Sequence, residues 1–450
     1  MSGASDKYIV NGMSTVIICP IDGINLSIKE EMDKIEQKIE KKVKEILTDL
    51  KASHSKFIDP DFGPNDEDEY GAKSLYGNSG KPDPAGSKYP APETLSWERP
   101  QYADGGLGGN GNGENEDEED EDEDDDDDLG YFRKDESKVF CKQGQLFVDG
   151  SSSGDVIQGQ LGDCWFLSAL AVLGTNDQQL EVCFWRRDEF REFGLYVLRF
   201  FKDCAIFYVI IDDRLPSRAK DGRLIFAYCK DPNELWVPLI EKGYAKLFGC
   251  YKALIGGYTH YGLADMTGFC PRLVVFREGF LGYSEKYSDD EIWTMLNKYG
   301  NWKCLMGCSI QPNPKEKNKV EADAGMGLHM SHAYSFLKIG EISVKDANTP
   351  YAEKGKIRLV KLRNPWGRGE WEGAFSDKSE ERAKYDKEIA AVFNQDVSAQ
   401  EKIVQDANDG TFLMPFKEWL KFYTSLFVAI NFPKEWCGKR TQGRFNGETG

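Results

Sequence analysis

The chain has 450 residues, 40% of them hydrophobic, with 76 acidic and 57 basic side chains and a net charge of −19. That length predicts two or three domains with ample material for a core, and the unclustered, outnumbered basic residues argue against a nucleic-acid partner. Fourteen of the fifteen residues from Glu114 to Asp128 are acidic, so the remainder carries only about −5, an ordinary balance.

In chain order, residues 1–24 hold weak strand-like signals. Ser27-Ile28-Lys29-Glu30 then reads as a capping box, and Met32, Ile35, Ile39, Val43, Ile46 and Leu50 recur at three- and four-residue steps. This predicts an amphipathic helix over 27–50 within an N-terminal extension of residues 1–56. Three heptads are short for a coiled coil, so its stripe should pack on the body of the protein. Residues 57–104, rich in Pro, Gly and Asp, are expected to wrap over a folded body. Gly105 to Asp128, first glycine-rich and then acidic, has no apolar residue after Leu107 to anchor it, and the insertion 105–136 is expected to be a disordered, solvated spacer.

From Leu146 onward the pattern is dense and globular. Gly162 to Leu173 suits a buried helix, Gly194–Phe200 and Ala205–Asp212 alternate like strands, and a helix starts near Trp236 and runs through Leu247. After Gly256-Gly257, strands are expected at Leu273–Phe276, Ser335–Ile339, Ile357–Leu362 and Leu426–Asn431. The fold class is therefore α+β, a helix-rich part over 137–257 followed by a strand-rich part over 258–433, with a tail at 434–450. Eleven cysteines, an odd and scattered set, argue against a disulfide scaffold, and Cys304 and Cys308 read as core rather than zinc ligands. With no signal-peptide architecture and no stretch as long as a membrane span, the expected location is the cytoplasm.

Cys164 follows Gln158-Gly159-Gln160-Leu161-Gly162-Asp163 and opens an apolar run. A thiol at a helix start is activated, because unpaired N–H groups and the dipole stabilise its thiolate. Of the four histidines, His329 and His332 are each possible bases, and Asn364-Pro365-Trp366-Gly367 follows. Cys, His and Asn, widely spaced in that order, form the pattern of papain-type acyl-transfer sites.

The strings around Cys164, Ser331-His332-Ala333-Tyr334-Ser335-Phe336 and Arg363-Asn364-Pro365-Trp366-Gly367 resemble the calpains, calcium-dependent cysteine proteases, over about Leu146 to Phe432. The resemblance implies a papain-like, two-lobed core with its active site between the lobes. It assigns Cys164 as nucleophile, His332 as base and Asn364 as the group that orients the imidazole. Gln158 would stabilise the oxyanion, Trp366 would shield the Asn–His bond, and His329 would be a structural loop residue. Where the family has Gly before its histidine, this chain has Ser331.

Ca2+ is the implied cofactor. A first site falls on the Asp155 and Glu234 side chains with backbone oxygens of Val148 and Gly150, and a second on Glu370, Asp377 and Asp409. Thr411 replaces a family Glu, so the second site should be weaker or lost. The expected partners are extended segments of protein substrates, and the expected state is a monomer. A calpain-like scaffold and a transglutaminase-type acyltransferase are the competing readings; the latter family has Asp where Asn364 stands.

Overall fold

The computed structural model describes residues 15–20, 28–81, 89–102, 141, 143–202, 205–276, 286–311, 322–345, 349–394 and 409–431. The expected cap Ser27, the insertion 105–136 and the tail 434–450 lie outside the described residues, as does the side chain of Met32.

The first helix runs Ile28–Ser53, a turn past its expected end. Its stripe, Ile35, Ile39, Val43 and Leu50, is buried against Leu195, Val197, Ile206, Tyr208 and Ile210. Those residues belong to a three-stranded antiparallel sheet in which Ala205–Asp212 lies between Val16–Pro20 and Leu195–Lys202. On the central strand, alternate residues serve two cores: Ile206, Tyr208 and Ile210 meet the first helix, while Phe207, Val209 and Ile211 face the main core. Cover on both faces explains why this strand is apolar almost throughout, with no polar side. The part expected to be helix-rich thus holds a sheet as well, and one of its strands comes from the N-terminal residues.

The helix Cys164–Leu173 has all ten side chains buried, so it shows no amphipathic stripe. It shares its core with the helix Trp236–Phe248 and with Leu263 and Met266 of the helix Thr259–Thr267. The chain therefore stays with the first core past Gly257, and the change of core follows this helix. Beyond it, a seven-stranded antiparallel sheet runs Ala352–Glu353, Lys356–Arg363, His332–Ser343, Leu305–Ile310, Ser425–Ile430, Cys270–Val275, and Thr411–Pro415 also pairs with Lys356–Arg363. The helices Asp289–Asn301 and Phe416–Phe422 pack Trp293, Leu296 and Trp419 into its core.

Helices together with antiparallel sheets make this an α+β fold. Eight cysteines among the described residues are free thiols, and Cys304 and Cys308 are buried in the core of the large sheet, as expected. No helix among the described residues is long and apolar enough to cross a membrane. Three bonds tie the Cys164 region to the large sheet: Ser335 Oγ donates to Ser168 O (2.9 Å), Gln158 N to Pro365 O (2.9 Å) and Arg363 Nη2 to Gly154 O (3.1 Å).

Candidate active site

Cys164 is the first residue of its helix and is buried. Asp163 occupies the N-cap position, but its carboxyl caps no backbone N–H. It instead hydrogen-bonds Glu241, which also accepts the Ala227 N–H on both oxygens at 3.2 and 3.1 Å. Burial, reinforced by Asp163, pushes the Glu241 carboxyl well above the usual range. Two buried carboxyls bonded to each other must share a proton. The Asp163 carboxyl therefore caps no N–H, and the helix start is left without a side-chain cap.

His332 opens the strand that lies along this helix, and Ala333 and Cys164 belong to one core. Asn364 lies at the end of the neighbouring strand Lys356–Arg363, where its N–H donates to Gly410 O at 2.8 Å. A side chain at Gly410 would meet Asn364 O at 2.7 Å, and its φ of +83° favours glycine too. The Asn364 amide is oriented by Nδ2 donating to Gly369 O (3.0 Å). Its Oδ1 therefore faces His332 Nε2 at 2.8 Å, and that nitrogen carries the proton. His332 Nδ1 is buried and makes no hydrogen bond, so it is not bonded to the thiol in this conformation. Burial holds the His332 imidazole down at about 3; the Asn364 bond opposes this, and the His329 charge adds to it.

Trp366 covers the pair. Its backbone N–H donates to the same Asn364 Oδ1 (3.1 Å), and its ring lies 4.3 Å from that of His332. His329, read from sequence as a structural loop residue, meets the same indole at 4.5 Å. Gln158 is buried, and its Nε2 donates to Leu161 O at 2.7 Å. The preceding turn leaves no space at Gly159, where a Cβ would stand 2.2 Å from Phe226 O.

Of the first acidic set, Glu234 is buried and accepts the Val148 N–H at 3.0 Å, while Asp155 accepts the Ser152 N–H at 2.6 Å. Burial and then Asp155 push Glu234 up to about 8. Gly150 has φ +95° and stands beside Asp177, which sequence reasoning did not single out. In the second set, burial, then Asp377, raises Glu370 to about 7, with a smaller push from Asp409. Glu370 Oε1 accepts the Gly410 N–H (2.9 Å), and Thr411 N donates to Asp409 Oδ1 (2.7 Å). Among the described residues no three His, Cys, Asp or Glu side chains converge closely enough to hold a metal ion.

A family model described as calpain family cysteine protease matches residues 120–430. Calpain-5 of Mus musculus is 33% identical over 324 residues, covering 68% of this chain and 48% of its own length. Calpain-A of Drosophila melanogaster is 36% identical over 296 residues, 63% of this chain and 32% of its own. Calpain-8 of Rattus norvegicus is 33% identical over 292 residues, 64% and 37% respectively. The chain spans about half or less of the length of these curated relatives.

Proposed function

The chain belongs to the calpain family of cysteine proteases, and on that premise we propose that it is a calcium-dependent cysteine endopeptidase making limited cuts in proteins through Cys164, His332 and Asn364. The observation that carries this reading is the buried His332–Asn364 bond on the strand packed against the Cys164 helix. With Nε2 bound to Asn364, the free Nδ1 is the nitrogen left to take the thiol proton. The thiolate attacks the scissile carbonyl, and the imidazolium protonates the departing amine. Water, activated by the same imidazole, then hydrolyses the thioester. The Cys164 N–H and Gln158 Nε2 would stabilise the oxyanion, a contribution of about 3–4 kcal/mol per donor. Gln158 must share or release its bond to Leu161 O to do so. Trp366 keeps water from the Asn364–His332 bond.

We read the two cores as the lobes of a papain-like body, expected over residues 137–257 and 258–433, with the division moved past the helix Thr259–Thr267, whose Leu263 and Met266 lie in the first core. Residues 1–56 form the extension, 57–104 the wrap, 105–136 the insertion and 434–450 the tail.

The first acidic set fits calcium in one respect: two neighbouring carboxyls hold a proton near neutrality that a divalent cation would displace. Asp155, Glu234 and the Val148 and Gly150 backbone oxygens would hold the ion. Glu370, Asp377 and Asp409 would hold a second, more weakly for want of a carboxylate at Thr411. When bound, the ions supply the charge that draws these loops together and favours a closed active site.

Casein incubated with the chain should yield fragments only with calcium, and Cys164→Ser should abolish them. Undiminished cleavage by that variant would refute the assignment. Cross-linked ladders would indicate a transferase, and unchanged casein a scaffold.

A further inference from the structure

We propose that His329 is a positioning residue for this reaction, clamping Trp366 against the His332–Asn364 pair. The inference rests on the protease reading but on contacts of its own.

His329 and His332 are three residues apart yet lie on different strands, Leu328–His329 and His332–Ser343. The turn between them uses Ser331 at φ +54°, a left-handed conformation costly for a residue with a side chain. Ser331 N donates to Ile310 O at 2.7 Å, which holds that turn on the large sheet. The reversal brings both imidazoles to one indole: His329 at 4.5 Å and 59°, His332 at 4.3 Å and 37°.

A second path closes the ring. The His329 backbone N–H donates to Tyr334 Oη at 2.9 Å, and the Tyr334 ring stands edge-on to His332 at 4.9 Å and 81°. Tyr334 is buried and packs on Phe412 and Tyr423. His329 is therefore anchored through its backbone to the core that carries His332, while its ring presses on Trp366. The Trp366 backbone N–H donates to Asn364 Oδ1, so the indole that both imidazoles meet is tied to the same amide that holds His332. The hairpin bearing His329 is in turn locked to the following segment: Glu372 N donates to Met326 O (3.0 Å), and Gly327 abuts Glu370 O too closely for any side chain.

The test compares His329→Ala with His329→Phe, which keeps a ring against the indole. Two readouts are taken: kcat and KM for casein cleavage, and amide hydrogen exchange across residues 364–371 by mass spectrometry. An aromatic contact is worth enough to change a rate about three- to tenfold. His329→Ala should lower kcat by that factor with KM within about twofold, and should speed exchange at Trp366 similarly. His329→Phe should restore both. A wild-type rate in His329→Ala, or a loss in His329→Phe equal to that in His329→Ala, overturns the clamp. Hydrogen exchange needs no turnover. If the wild-type chain cleaves nothing while exchange responds as expected, the protease reading fails and the clamp stands.

Discussion

Asp59 and Lys246 are each fully buried side chains in a salt bridge of 2.6 Å, and they come from the irregular wrap and from the helix Trp236–Phe248. Lys246 Nζ also donates to Ile210 O (2.7 Å) and to Thr15 Oγ1, and Asp59 N donates to Asp212 Oδ2 at 2.9 Å. Asp212 in turn pairs with the buried Lys242. Burial pushes the Asp59 carboxyl above its ordinary value, and Lys246 pulls it back only in part, so the intact pair contributes little net stability. Removing one partner is different. Asp59→Ala leaves an ammonium in the core with two neutral acceptors, which should cost about 3–5 kcal/mol, much of the stability of a typical domain. Lys246→Met in the same chain removes the orphaned charge and should recover most of the loss. The assay is urea unfolding of the wild type, both single variants and the double variant, followed by tryptophan fluorescence. A loss below about 1 kcal/mol for Asp59→Ala, or a double variant as unstable as the sum of the singles, would show that the wrap is not pinned through this charge pair.

Two further outcomes follow from the site. The buried His332 stays neutral when folded, down to about 3, while its unfolded form takes a proton near 6.5. Below about pH 6.5 the unfolded chain thus binds the extra proton, and stability falls as pH falls. Relative to His332→Gln, the wild type should lose about 2 kcal/mol between about pH 7.5 and pH 5, measured by unfolding at each pH; equal slopes would refute the buried neutral imidazole. Gly159→Ala should cost about 1–3 kcal/mol, because its methyl collides with Phe226 O and Ile225 O and must displace the turn carrying Gln158. A thermally unaltered variant with full activity would contradict that packing.

Local signals made much of this molecule legible. The periodic stripe from Ile35 to Leu50 found its helix because one face had to be buried, and the apolar run after Cys164 found its own because every side is covered. Most long strands were visible for the same reason, although Leu305–Ile310 was read only as core. The strand Val16–Pro20 was faint because an edge strand draws its stability from the partner, Ala205–Asp212, nearly two hundred residues away. Asp163 shows the same dependence on distant residues: a short acid at a helix start usually bonds the backbone, but here it bonds Glu241.

Residue types and their spacing were thus enough to identify the family and the α+β class, since these depend on composition and local order along the chain. Which imidazole nitrogen meets Asn364 and how His329 comes to bear on Trp366 depend on long-range packing. Those contacts join strands and loops whose separation in space no local pattern encodes.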